Sequence, residues 1–300
     1  MSSDQKQSLE QYRMVVYEYR KSLKSDVSDE LINTYVLRPI AGLIVWLLYR
    51  TPITPNHVTV ASTIAGLVAA LFYLHDRALS TALAGLLVTL KDVLDSADGQ
   101  LARAKQQYSR IGRFLDSIGD FVVNVAVFGA VGWVLSTSSG NPWMLLLAFL
   151  GLVGITLRVS YHVYYQTSFL HLEEKYQINR LTEELTEEDL KSGRLTLSLQ
   201  RAFLAIYGWQ DRLMVRIDLW CRRGRDDRKF LVPWYSDTVG LRLSGLLGMG
   251  TELFVLMLCS VFDQLVLYLY LNLAIMNGIL LASLIYRRQF LSNRLPGDSP

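Results

Sequence analysis

The chain has 300 residues, of which 51% are hydrophobic and 19% charged, with a formal net charge of +3 and a mean hydropathy of +0.24. That charge is too small to suggest a nucleic-acid partner, and none is expected. Cys221 and Cys259 are the only cysteines, which excludes a disulfide framework or a cysteine metal site and leaves both as free thiols. The apolar residues gather in blocks of roughly 20, the length that crosses a bilayer core as a helix. Basic residues cluster beside those blocks, as they do at a membrane surface.

In chain order, residues 1–30 are polar and charged, suggest a helix, and show no apolar core ahead of a cleavage site, so no signal peptide is expected. Ile32 to Arg50 mixes apolar residues with Arg38, Pro39 and Arg50 and reads as an amphipathic helix lying at the interface. The run Thr51-Pro-Ile-Thr-Pro55-Asn56 ends it, because proline breaks helices and starts turns. Six spans are then expected: about Val58 to Leu74, Ser80 to Arg103, Gly112 to Leu135, Trp143 to Tyr165, Val239 to Phe262 and Leu265 to Tyr286. Between the fourth and fifth lies one long polar insertion, residues 166–235. Within it, Thr186-Glu-Glu-Asp189 is a helix-start signal, and Leu199, Phe203, Leu204 and Ile206 suggest an amphipathic helix. Trp209, Trp220 and Trp234 are candidates for the membrane interface.

The expected fold is an all-α integral membrane protein in four parts. These are an N-terminal segment with the interfacial helix (1–50), four spans (51–165), a cytoplasmic helical insertion (166–235), and two spans with a tail (236–300). Arg38, Arg50, Lys105, Arg110, Arg113, Arg287 and Arg288 fall on one side of the spans. The opposite connections are His75-Asp76-Arg77, the uncharged Ser136 to Asn141, and a turn near Asp263. The basic side is expected to be cytoplasmic, with both termini.

Four carboxylates stand out. Asp95 and Asp98 are three residues apart, and Asp116 and Asp120 four apart, so on helices each pair shares a face. The short connection between the two helices makes them antiparallel neighbours, so all four can converge near the cytoplasmic end. A charge inside a bilayer costs a few kcal/mol or more, and the adjoining stretches are almost wholly apolar, so the group needs compensation. Oxygen-preferring divalent cations supply it: one or two Mg²⁺ or Mn²⁺ ions.

Asp95, Asp98, Gly99, Ala102, Arg103, Gly112, Asp116 and Asp120 fill the pattern D-x-x-D-G-x-x-A-R-x8-G-x-x-x-D-x-x-x-D. That pattern resembles the signature of the CDP-alcohol phosphotransferase family. The resemblance implies transfer of a phosphoalcohol or phosphatidyl group from a CDP-linked donor, CDP-diacylglycerol or a CDP-small alcohol, to a hydroxyl acceptor, with release of CMP. Phospholipid synthesis by a transferase of substituted phosphate groups is then expected, with two metal ions and a homodimer. It also implies that Asp120 is the general base and that Asp95, Asp98 and Asp116 are mainly metal ligands, although a carboxylate can be both and Asp120 is counted in each set. Gly99 and Ala102 leave a helix surface bare for a base or sugar, Gly112 does the same from the facing helix, and Arg103 offers a planar fork of donors to phosphate. The three small residues equally suit close helix packing, and Arg103 equally suits a positive-inside anchor.

The remaining candidates stay open on sequence. The resemblance turns Asn56 and Thr59 toward the nucleotide phosphates, but a turn and helix cap explains them as well. Asn124 can line an acceptor pocket or simply pack. Arg158 can bind a charged substrate group or snorkel to the interface. Glu252 has either a paired structural role or a place in the cavity. Arg110 and Arg113 suit a rim that attracts anions, and Asp92 lies outside the signature and is left out of the metal set. Two other readings of buried carboxylates are a membrane prenyltransferase and an ion transporter. The first needs more spans and a second aspartate motif, and the second needs a polar path to the far side.

Overall fold

A computed structural model describes residues 30–172 and 194–294; the N-terminal polar segment and the Thr186–Asp189 signal fall outside them. The described residues form helices joined by short turns, with no strand among them. A wide-turn stretch, Asn33–Leu37, runs into α1 (Arg38–Leu48). Then come α2 (Pro55–Tyr73), α3 (Ala78–Lys105), α4 (Arg110–Ser139) and α5 (Trp143–Leu172). The insertion supplies α6 (Arg194–Cys221) and α7 (Arg228–Tyr235). The chain ends in α8 (Thr238–Gly245), α9 (Met249–Val261) and α10 (Leu265–Arg294), the last interrupted by wide turns at Leu271–Met276 and Tyr286–Leu291.

Five segments are long and apolar enough to cross a membrane: α2, α4, α5, Thr238–Val261 and α10. The expected second span forms as α3, but Lys91, Asp92 and Asp95 interrupt its apolar run. The expected fifth span is broken at residues 246–248 into α8 and α9. The fourth continues through Leu172, so the insertion begins later than its polar composition suggests.

Start and stop chemistry is local. Pro55 opens α2, and the Thr54 N–H donates to His57 Nδ1 at 3.2 Å. Ser109 caps α4 by accepting from the Gly112 N–H, and Gln106 ends α3 in the left-handed region at φ 53°. Lys105 then ties that end to the turn before α2, donating 2.8 Å bonds to the Thr51 and Ile53 carbonyls. At the other end of the bundle, Ser138 donates to Asp76 at 2.8 Å, so two of the low-charge connections meet.

α3 is the central element, packed by α1, α2 and α9. Close approach to α9 depends on Gly85, where a Cβ would fall 2.6 Å from the Ser260 Cβ and 3.1 Å from the Met257 carbonyl oxygen. The main core joins Tyr73, Val88, Val127, Phe128, Ile155, Leu256 and Leu269 from α2, α3, α4, α5, α9 and α10. The outer faces keep exposed apolar residues such as Leu71, Leu86, Trp133, Phe149 and Leu281.

The insertion packs on the bundle through α6, against α4 and α5. Its anchor is Asp218, fully buried. It accepts from Tyr165 at 3.0 Å, Trp234 Nε1 at 2.9 Å, Tyr235 at 2.8 Å and Tyr164 at 3.2 Å, and pairs with Arg222 at 3.0 Å. Trp234 therefore lies in a core with Cys221, Phe230 and Leu291, not at an interface, because its indole N–H finds a buried partner. Trp209 and Trp220 stay exposed. Arg287, counted from sequence among the loop cations, is buried over the Tyr165 ring at 3.5 Å. Burial, with Asp218 nearby, pushes the Cys221 thiol up to about 11, so it stays protonated and unreactive at neutral pH.

Removing the carboxylate leaves four buried donors without their acceptor and Arg222 with Asp226 as its remaining acidic partner. Asp218→Ala is expected to cost about 3–5 kcal/mol, seen as a lower midpoint for thermal unfolding of the purified protein in detergent. An unchanged midpoint would mean that the insertion is held by its apolar contacts alone.

Candidate metal centre and active site

The motif folds as its spacing implies. α3 and α4 are joined by residues 106–109 and run antiparallel, bringing their acidic faces together at the end marked by Lys105. Single oxygens of Asp95, Asp98 and Asp116 lie within 4.8 Å of one another. Asp98 is buried and accepts a 2.5 Å bond from the Thr59 hydroxyl of α2. Asp116 Oδ1 is buried with no hydrogen-bond partner. Three carboxylates in mutual contact with an orphaned oxygen form a hard, anionic, oxygen-only donor set, which suits Mg²⁺ or Mn²⁺.

Asp120, one turn further along α4, is not part of that trio. It forms an ion pair with Lys91 of α3. Lys91 is 1% exposed and also lies 3.4 Å from Asp92. The sequence reading passed over this lysine. Its signal was present: Lys91 precedes Asp95 by four residues, which puts an intramembrane cation on the acidic face of α3.

The residues assigned to a nucleotide are absent from the lining of the cavity beside the carboxylates. A Cβ on Gly112 would lie 2.3 Å from Asn56 Oδ1, so the glycine admits the Asn56 side chain. Thr59 does not cap α2; it donates to Asp98 and so holds a carboxylate. The Arg103 guanidinium lies over Gly99, 3.4 Å from where a Cβ would stand, and Ala102 is half-buried beside it. Of the rim residues, Arg113 lies 5.2 Å from the Phe114 ring, and Arg110 opens α4.

A cavity of about 210 Å³ opens on the inner side of the carboxylates. Asp95, Asp116, Asp120 and Asn124 line it together with Arg38 from α1 and Tyr207 from α6. Asp92 lines it as well. Arg158 and Glu252 do not. They form a fully buried pair at 2.5 Å, completed by Asn277 at 2.6 Å and Asn272 at 3.0 Å, which decides for Glu252's structural alternative and against snorkelling by Arg158.

Residues 52–180 match the CDP-alcohol phosphatidyltransferase family, a stretch that holds every carboxylate of the cluster. That stretch is 43% of the chain, and over it the sequence is similar to CDP-alcohol phosphatidyltransferases. Over 128 residues, 43% of its length, it is 32% identical to a bifunctional IPC transferase and DIPP synthase of Thermococcus kodakarensis, covering 28% of that protein. It is 36% identical over 88 residues to an archaetidylinositol phosphate synthase of Pyrococcus horikoshii, covering 45% of it. It is also 30% identical over 126 residues to a phosphatidylinositol phosphate synthase of Corynebacterium glutamicum, covering 55%. The chain thus spans between about a quarter and about half of the length of these curated relatives. Outside the matched stretch lie α1, most of the insertion and α8 to α10.

If the trio holds a cation, Mn²⁺ binding to the purified protein, measured by electron paramagnetic resonance, is expected to weaken in Asp95→Asn and Asp116→Asn. Thr59→Val, which removes only the donor that orients Asp98, is expected to weaken it by about 10-fold. Unaltered Mn²⁺ affinity in all three would place the cation elsewhere.

Proposed function

We propose that the chain makes a phospholipid by transferring a phosphoalcohol or phosphatidyl group from a CDP-linked donor to a hydroxyl acceptor. The observation that carries this reading is the carboxylate trio at one end of the α3–α4 pair, with a polar cavity beside it and Arg103, Gly99 and Gly112 outside the cavity lining. Asp95, Asp98 and Asp116 would hold Mg²⁺ or Mn²⁺, with Asp120 completing the set for a second ion. Such ions neutralise the donor diphosphate and the charge that develops on its leaving oxygen.

The protein's own groups supply the rest. Gly99, Ala102 and Gly112 give the cytidine nucleotide room on the helix backbones, Arg103 offers its guanidinium to phosphate, and Asn56 reaches across beside Gly112. Thr59 steadies Asp98. The acceptor enters the cavity past Asn124, and its hydroxyl oxygen attacks the donor's β-phosphorus. The bond from that phosphorus to the bridging oxygen breaks, CMP leaves, and Asp120 takes the hydroxyl proton. The three named relatives differ in their products, and two of them are named for inositol phosphate lipids. A lipid donor such as CDP-diacylglycerol agrees with a site at the end of apolar helices.

We place this site at the cytoplasmic face of a six-span protein. α3 has 28 residues, about 42 Å of helix, against about 30 Å of hydrocarbon. Its neighbours α2 and α9 lie in candidate spans, and its charges turn toward Thr59, Lys91 and the cavity. α1 would lie along the interface: Leu43, Trp46 and Leu47 are 64% to 66% exposed on one face, while Ala41 and Val45 are buried on the other. Both termini fall on the cytoplasmic side in this arrangement, and the working unit is a homodimer.

Two experiments test the reading. Purified protein given a CDP-lipid, an acceptor and Mg²⁺ is expected to release CMP. Asp120→Asn should keep donor affinity while single-turnover transfer falls by about 10²- to 10⁴-fold. Donor affinity lost in step with rate would make Asp120 chiefly a metal ligand. Separately, cysteines placed at Gln107 and Thr137 in a background without Cys221 and Cys259 should label from opposite membrane faces. Labelling from one face would remove α4 from the spans.

A further inference from the structure

The ion pair between Lys91 and Asp120 has no counterpart in the motif, and its setting is specific. The lysine stem passes Gly66 of α2, where a Cβ would stand 3.2 Å from Lys91 Cγ, so a larger residue there would press on it. Ser62 of the same helix donates to the Lys91 carbonyl at 3.0 Å. The ammonium reaches Asp120, Asp92 at 3.4 Å and Met249 Sδ at 3.8 Å. Those three residues all line the cavity, so the ammonium stands directly behind its wall. Met249 opens α9, outside the matched domain. The lysine is held by α2 and α9 and grips a carboxylate on α4.

Charge accounting gives the arrangement a purpose. Asp92, Asp95, Asp98, Asp116 and Asp120 place five carboxylates along one face of the α3–α4 pair. One ammonium and two divalent ions match five carboxylates in charge. The trio Asp95, Asp98 and Asp116 can gather without Asp120 because Asp120 already has its cation.

We propose that Lys91 is a positioning residue for Asp120. As a fixed internal cation it holds the Asp120 carboxylate against the cavity wall and withholds it from full metal coordination, leaving it oriented toward the acceptor hydroxyl. This rests on the reading of Asp120 as the base, and the test separates the two.

The decisive experiment is a double-mutant cycle on the full chain in detergent or nanodiscs, with Lys91→Met, Asp120→Asn and both together. Single-turnover transfer, CDP-donor affinity and Mn²⁺ affinity by electron paramagnetic resonance are measured for each. Lys91→Met is expected to lower transfer by about 10²-fold through misplacement of the base, with donor affinity unchanged. In the Asp120→Asn background it should cause no further loss. Mn²⁺ affinity should rise in Lys91→Met, because a competing cation is gone, and should not rise when the same change is made in Asp120→Asn. Losses that multiply independently, or Mn²⁺ affinity that stays level or falls in Lys91→Met, would overturn the proposal and make Lys91 a packing residue. If Asp120→Asn alone transfers at the normal rate, the base assignment fails before Lys91 is judged. Lys91→Gln, which keeps the length and a donor, gives the same cycle if the methionine variant does not purify; the double variant also folds without either buried charge.

Discussion

Ionised groups among apolar helices must each meet a counter-charge or a set of donors, and that requirement organises this molecule. Three separate acidic centres meet it in three ways. Glu252 is matched by the Arg158 guanidinium and the Asn272 amide deep among α5, α9 and α10, and Arg158 in turn donates to Asn277. Asp218 is matched by four neutral donors and Arg222 where the insertion meets α5. The α3–α4 cluster is matched only in part, by Thr59 and Lys91, and retains an unpartnered oxygen on Asp116. Where the carboxylate itself is satisfied by protein groups, as at Glu252 and Asp218, the network rigidifies a core. The centre left short is where chemistry can enter.

The helix pair that carries this deficit is braced on every side. Gly85 brings α9 against α3, and α1 covers the same helix, where Gln100 donates to the Arg38 carbonyl at 3.2 Å. Tyr207 of α6 donates to the Ser117 carbonyl on α4 at 2.6 Å, so the insertion reaches the acidic face through a helix end to end with Asp218. Elements outside the matched stretch thus contribute part of the wall of the cavity. Arg38, Tyr207 and Met249 all come from such elements.

Much of this was legible in the sequence, and the limits have physical causes. Helix positions followed from apolar blocks and from proline and capping signals, and the trio followed from three- and four-residue spacing across a short linker, all local properties. Lys91 was overlooked because it lies outside the motif and its meaning depends on Asp120, 29 residues away. Arg158 and Glu252 stayed ambiguous for the same reason: they are 94 residues apart and define each other only once α5 and α9 pack. Trp234 looked interfacial because tryptophan often is, and the acceptor that buries it, Asp218, lies 16 residues away. The break at residues 246–248 was hidden inside a continuous apolar run.

The orphaned oxygen of Asp116 also bears on the fold itself. An incompletely neutralised cluster pushes α3 and α4 apart at the end where only residues 106–109 join them. A cation that binds the folded pair and not the unfolded chain draws the equilibrium toward the folded side by mass action. Ion concentration then becomes a variable of endurance as well as of turnover. If the proposed reading holds, a membrane short of divalent ions would hold a protein that is both idle and easier to unfold, so that scarcity would shorten its life along with its output.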